Sequence, residues 1–179
     1  MLISKEKSFY KLIISIALPI AVQNLITFAV SMIDTMMLGS LGEVELSAAA
    51  IGNNLFFVLM VLLFGLAGGS NILISQYWGK GEVNAIHKIL SIMYRGCLII
   101  AAIFIFIAIV FPSQFMRIYT TDTRVIEEGV SYLRIVSVGY IFYAITNCTI
   151  MMLRSVKTVK ISLVVYSLSL VVNAFLIIY

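Results

Sequence analysis

One acidic residue stands inside an uncharged stretch near the N-terminus. Asp34 is the first charged residue after Lys11, and the apolar residues around it are numerous enough to lie within a membrane. A carboxylate at mid-membrane costs about 2.5–3.5 kcal/mol, and the loss of solvent favours its neutral form. A carboxyl group that is neutral in one state and charged in another can carry a proton, and beside oxygen or amide ligands it can hold Na⁺.

Two polar side chains share the predicted helical face of Asp34. At 100° per residue, Gln23 and Asp34 differ by about 20°, and Thr27 lies about 40° from Gln23. We expect these three side chains to line protein or a cavity rather than lipid. Pro19 lies one turn earlier and removes a backbone hydrogen bond, which predicts a bend. The alternative is that Asp34 sits solvated at the outer interface, since it lies about 34 Å beyond Lys11 along a straight helix.

Three further residues are candidates for helix contacts or ion binding. Asn173 has no polar neighbour in the last apolar stretch, so its amide either contributes to an ion site or forms a hydrogen bond between helices. Gly65 and Gly69 form a Gly-xxx-Gly pair, whose small side-chain volume predicts close packing of two helices.

Residue types that support enzymatic or metal chemistry are sparse. His87 is the only histidine, so the chain cannot build a multi-histidine metal site. No Ser-His-Asp or Cys-His combination is evident, which disfavours an enzyme and any bound cofactor. The two cysteines, Cys97 and Cys148, lie in apolar surroundings and are interpreted as small hydrophobic residues.

The composition indicates a protein whose main partner is membrane lipid. Of the 179 residues, 62% are hydrophobic and 11% are charged, and the mean hydropathy is +1.11. A soluble domain is about half apolar and about one quarter charged. These values exclude a soluble monomer and a nucleic-acid-binding domain.

The distribution of charge predicts an all-α, polytopic transmembrane bundle. Five stretches are nearly free of charge, and each is close to or longer than the roughly 20 residues that cross a bilayer. The predicted helices lie near 12–38, 48–75, 91–111, 130–152 and 160–179.

Basic residues predict the orientation. Nine of the twelve Lys and Arg fall on the side of the N-terminus, and Arg117, Arg124 and Arg134 fall on the other. Since cytoplasmic loops are rich in basic residues, we expect a multi-pass protein of the cell membrane with a cytoplasmic N-terminus and an external C-terminus. Because the sequence stops within an apolar stretch, we expect a truncated chain or part of a longer reading frame.

Six motifs resemble, in order, those of the multidrug and toxic compound extrusion (MATE) family of transporters. The motifs are Leu18-Pro19 followed by Asp34-Thr35 and Leu41-Gly42, the Leu46 to Ile51 segment, Gln76 to Gly81, Tyr132-Leu133-Arg134-Ile135, Leu153-Arg154-Ser155, and Asn173. The resemblance implies a twelve-helix antiporter with two six-helix lobes. Residues 1–179 would then be five helices of the N-terminal lobe, with the C-terminal lobe as the missing partner.

The resemblance also implies an activity and residue roles. The family exports organic cations and other amphipathic compounds in exchange for H⁺ or Na⁺. Asp34 matches its first-helix acid, which takes part in cation coupling, and Asn173 matches its fifth-helix Asn. Two departures are evident: Ile177 replaces an Asp that some members carry, and Ile141 replaces a frequent fourth-helix Pro, which puts a bend there in doubt.

Three alternatives remain open at the level of sequence. A lipid-linked oligosaccharide flippase has a related fold but is expected to carry more basic residues within the membrane, where only Arg95 and Arg134 approach the spans. A structural subunit would use its polar residues only to join helices. A truncated product would have no transport activity.

Overall fold

The chain is helical throughout the part that the structure describes. A computed structural model describes residues 7–156 together with residues 158, 164, 165, 168 and 172. The helices are α1 (Lys7–Leu41), α2 (Glu43–Lys80), α3 (Val83–Val110), α4 (Pro112–Arg117), α5 (Thr123–Val136) and α6 (Gly139–Ser155). This confirms the predicted all-α fold.

Three helices, α1 to α3, are long and apolar enough to cross a membrane. The bent pair formed by α5 and α6 meets the same criterion when it is taken as one span. The fifth predicted helix, 160–179, lies largely outside the described residues. Within it, Val164, Val165, Leu168 and Val172 are helical and exposed.

A single residue separates the first two helices. Gly42 adopts φ 149° and ψ 169°, a backbone conformation that residues other than glycine rarely adopt. The carboxylate of Glu45 folds back over it, since a Cβ built on Gly42 would lie 2.5 Å from Glu45 Oε2. The predicted gap between residues 38 and 48 is wrong, since α1 ends at Leu41 and α2 begins at Glu43. Both helices extend through polar residues, because these do not interrupt the backbone hydrogen bonds of a helix.

The second connection is a glycine-terminated turn. Gly81 has φ 75°, its N–H donates to the carbonyl of Trp78 over 3.2 Å, and the N–H of Glu82 donates to the carbonyl of Tyr77 over 3.1 Å. These bonds satisfy carbonyls that the helix leaves without partners at its C-terminus. The turn therefore connects α2 to α3 with only two residues, Gly81 and Glu82.

The fourth predicted span, 130–152, is two helices rather than one. The axis bends by 51° between α5 and α6. The Ser137 hydroxyl donates to the carbonyl of Arg134 over 3.1 Å, and the N–H of Tyr140 reaches back only three residues, to Ser137. A side chain that competes for a helical carbonyl bends a helix without proline. The expectation that Ile141, in place of a proline, leaves this helix straight is therefore wrong, because the helix bends nearby without a proline.

The chain divides into two compact units, one of residues 1–34 with 157–179 and one of residues 35–156. In the second unit α2, α3, α5 and α6 enclose the core. Buried residues follow one another at three- or four-residue intervals, which is the spacing of one helical face. On α3 this face consists of Met93, Cys97, Ala101, Phe104 and Ala108. On α6 it includes Tyr140, Ala144, Cys148 and Met151.

Close helix contacts occur at glycines other than the predicted pair. A Cβ on Gly52 would meet the Tyr132 ring at 2.7 Å, and one on Gly96 would meet Leu66 Cδ2 at 2.7 Å. Gly65 and Gly69 are exposed, and no described atom lies within 4 Å of a Cβ built on either. The packing role predicted for Gly65 and Gly69 is therefore not found within the described part of the chain. The Gly-xxx-Gly spacing identifies a helix face with small side chains, but it does not identify the helix that packs against that face.

Candidate functional site

Asp34 lies on the exposed surface of α1. It stands two turns before the end of the helix, and its side chain is exposed. The described residues of this chain therefore do not supply the enclosure that was predicted for the carboxylate. Its position within an uncharged helical stretch is as the sequence predicted, and its role in cation coupling stays a prediction.

The two polar residues that share its predicted face differ in burial. Gln23 is only 1% exposed, whereas Thr27 is exposed and its hydroxyl donates to the carbonyl of Gln23 over 3.0 Å. Gln23 is therefore buried while Thr27 and Asp34 are exposed among the described residues, and the prediction that all three line a cavity stays a prediction. The helix runs through Pro19 without interruption, and the predicted bend at Pro19 stays a prediction. Asn173 lies outside the described residues.

Two hydrogen bonds that sequence reasoning missed join helices in the second unit. The hydroxyl groups of Tyr94 on α3 and Thr149 on α6 lie 2.7 Å apart. Because Thr149 also donates to the carbonyl of Ile145 over 2.8 Å, its proton is committed there and Tyr94 is the donor between the helices. The Tyr132 hydroxyl on α5 donates to Asn53 Oδ1 on α2 over 3.0 Å. The partners are 55 and 79 residues apart in sequence, so no local pattern signals either bond.

The buried polar atoms without a hydrogen-bond partner within the described part of the chain include two on α6 and one on α2. These are Tyr140 Oη and Asn147 Nδ2 on α6 and Asn71 Oδ1 on α2. Tyr140 and Asn147 are seven residues apart and therefore lie on one face of α6. The Tyr140 ring packs against Phe56 with centroids 5.7 Å apart. Buried polar groups of this kind are usual positions for internal water.

Charged groups of the described residues lie mainly at helix ends. The ion pair between Arg124 and Asp122 spans 3.8 Å, with both side chains exposed. Asp122 also accepts the N–H of Arg124 at the start of α5, over 2.9 Å. No group of three or more His, Cys, Asp and Glu suited to a metal ion occurs among the residues described. Cys97 and Cys148 are buried and free.

The long apolar helices define a multi-pass, all-helical membrane protein. A family model, MatE, matches residues 19–178. The chain therefore belongs to the MatE family, the MATE transporters that its motifs resemble.

The curated relatives carry names of multidrug resistance proteins. The chain is 25% identical over 138 residues to the multidrug resistance protein MdtK of Photorhabdus laumondii, which is 74% of this chain and 30% of that protein. It is 36% identical over 81 residues to the multidrug resistance protein NorM of Burkholderia vietnamiensis, covering 45% of this chain and 17% of that protein. A second MdtK, from Yersinia enterocolitica, is 22% identical over 139 residues. The matched region spans less than a third of these relatives.

Proposed function

We propose that this chain forms the N-terminal lobe of a cation-coupled antiporter that exports organic cations across the cell membrane. The match to the MatE family over residues 19–178 is the observation that carries this proposal. The names of the MdtK and NorM relatives favour drugs as the exported compounds. A second lobe, as the greater length of these relatives suggests, would complete the transport path.

Asp34 is the proposed coupling residue. It is the only acidic residue of α1, and a carboxylate in that setting is a functional group by default. Binding of a cationic substrate displaces H⁺ or Na⁺ from the carboxylate, and the ion returns from the outside as the substrate leaves. One charge that crosses a potential of 100 mV contributes about 2.3 kcal/mol, which is enough to bias alternating access. Gln23, Thr27 and Asn173 are proposed to line the same path.

The test is the conservative substitution Asp34→Asn. It removes the titratable charge at nearly constant volume, so we expect efflux of ethidium from cells to fall at least tenfold while the protein reaches the membrane in normal amount. Asp34→Glu keeps a titratable group and should retain part of the activity. Glu82→Gln makes the same chemical change at an exposed residue between α2 and α3 and should export at the wild-type rate.

The coupling ion is identified by transport assays with the purified protein in proteoliposomes. An imposed pH gradient or an imposed Na⁺ gradient is applied separately, and the one that drives wild-type uptake identifies the ion. Undiminished export by the Asp34→Asn protein would contradict the coupling role and would favour a purely structural function for this helix.

A further inference from the structure

Four sulfur-containing side chains lie in the core where α3 packs on α6. Cys97 is 1% exposed and Cys148 has no exposed surface. Both thiols are free, and the two side chains share a hydrogen bond. Met93 and Met151 belong to the same buried cluster. We propose that these four residues form a binding site for a soft monovalent metal ion, Cu⁺, and the proposal does not rest on the proposed export activity.

The packing of α3 on α6 places the two cysteines opposite each other. The hydroxyl oxygens of Tyr94 on α3 and Thr149 on α6 lie 2.7 Å apart, and Cys97 contacts Cys148. Residue numbers therefore rise along α3 as they fall along α6, so the two helices are antiparallel at this contact. Because the bond from Tyr94 to Thr149 fixes this register beside the thiols, the two sulfur atoms meet without a metal ion.

The two thioethers lie in the next layer of the same contact. Met93 is four residues before Cys97, and Met151 is three residues after Cys148, so each methionine is about one helical turn from its cysteine. In antiparallel helices these two directions coincide, which places both methionines on the same side of the thiols. Met93 has no exposed surface and Met151 is 6% exposed. The contact therefore gathers four buried sulfur atoms in two adjacent layers.

The ligand types indicate the class of metal ion. Thiolate and thioether sulfurs are soft ligands that favour Cu⁺. Zn²⁺ is bound by Cys, His, Asp or Glu in closed tetrahedral sites, and the described residues contain no group of three or more such side chains. Cu⁺ accepts a low coordination number, so a facing pair of thiols assisted by thioethers can hold it.

The charge balance also favours a monovalent ion. As Cu⁺ enters, the S–H bond of one thiol breaks, a Cu–S bond forms, and the proton leaves to water. The other thiol and the two thioethers bind as neutral donors, and the oxidation state of copper does not change. The site is then neutral before and after binding, which avoids the cost of a buried net charge. A divalent ion in exchange for one proton would leave a positive charge in the core.

The test measures Cu⁺ binding to the full chain in non-ionic detergent, without oxygen and in competition with a coloured Cu⁺ chelator. We expect one bound Cu⁺ and one released proton per chain. Cys97→Ser with Cys148→Ser replaces both thiol sulfurs by oxygen and should raise the Kd at least a hundredfold. The matched control is Ala101→Ser with Ala144→Ser, which adds hydroxyl groups at buried positions of the same two helices and should leave the Kd within threefold.

A second pair of variants tests the thioethers while both cysteines stay in place. Met93→Leu with Met151→Leu keeps the side-chain volume nearly constant and should raise the Kd at least fivefold. Met116→Leu, at a buried methionine of α4, should leave the Kd within twofold. Elution in gel filtration at the wild-type volume reports whether each variant is folded.

Four outcomes would contradict the proposal. Wild-type affinity after both cysteines are replaced would place the metal elsewhere, and equal weakening by the serine pairs at the cysteines and at the alanines would reflect disturbed packing. Full affinity in Cys97→Ser alone or in Cys148→Ser alone would show a single reactive thiol. Unchanged affinity in the double methionine variant would remove the thioethers from the site.

Discussion

Glycines control how closely the helices of this protein approach one another, and their effect depends on what lies opposite each one. Gly52 is covered by the Tyr132 ring, whereas Gly65 on the same helix faces open space among the described residues. At Gly96 and Gly129 the opposing groups are the ends of the flexible side chains Leu66 and Met116, which can rotate away from an added Cβ. A ring that is anchored by a hydrogen bond to Asn53 has less freedom to move.

This difference predicts different effects of the same substitution at two sites on α2. Gly52→Ala should lower the free energy of unfolding by about 1–3 kcal/mol, because overpacking displaces the Tyr132 ring. Gly65→Ala meets no atom and should be neutral or slightly stabilising. Thermal unfolding in detergent, followed by the reaction of Cys97 and Cys148 with a fluorogenic maleimide, gives both values. Equal melting temperatures for the two variants would mean that the contact with Tyr132 carries no strain.

At the scale of elements, the contact between α3 and α6 combines a buried apolar face with one directed hydrogen bond. Cys97 and Ala101 on α3 and Ala144 and Cys148 on α6 are buried small residues that allow the helices to approach. The bond from Tyr94 to Thr149 then sets the register of one helix against the other. In a membrane such a bond contributes about 0.6 kcal/mol on average and about 1.7 kcal/mol at most.

A double-mutant cycle tests this bond. Tyr94→Phe and Thr149→Val each remove one partner, and we expect a coupling free energy of about 0.6–1.7 kcal/mol. The measurement is unfolding of wild type, both single variants and the double variant in the same detergent. Tyr119→Phe, at an exposed tyrosine outside this contact, serves as the control. Strictly additive effects would show that the two hydroxyl groups do not act together.

At the scale of the whole molecule, the connections between helices should alternate between the two sides of the membrane. The turn at Gly81 and the segment between α4 and α5 are separated by the apolar helix α3, which is long enough to cross a bilayer. The excess of basic residues near the N-terminus and around the turn after α2 predicts that this side faces the cytoplasm.

Single cysteines at the two connections test this topology. In intact cells, a membrane-impermeant maleimide should label Thr121→Cys but label Glu82→Cys only after permeabilisation. The native Cys97 and Cys148 are buried and should contribute little background. Immediate labelling of Glu82→Cys in intact cells, with protection of Thr121→Cys, would reverse the orientation.

The helices and their class could be predicted from sequence, because the cost of placing charge in lipid is a property of each stretch on its own. Charge-free stretches located the helices α1, α2 and α3, which are long and apolar enough to cross a membrane, although the helix ends lay several residues further out. Helix ends depend on the backbone conformation of residues such as Gly42 and Gly81, both with positive φ, which hydropathy does not report. Asp34 could be identified for the same reason as the spans, because a carboxylate within an apolar helix is recognised from the sequence of that segment alone.

Tertiary structure alone decided which side chains meet. The 51° bend between α5 and α6 lies next to Ser137, whose hydroxyl donates to the carbonyl of Arg134, and has no proline of the kind that signals bends in sequence. Gly52 rather than Gly65 became the close contact because Tyr132, from a distant part of the chain, packs over it. Glu45 and Glu128 came to line one cavity only through the packing of α5 on α2. Local sequence determines the preference of each segment for lipid or water, while contacts between segments depend on shape complementarity that no single segment contains.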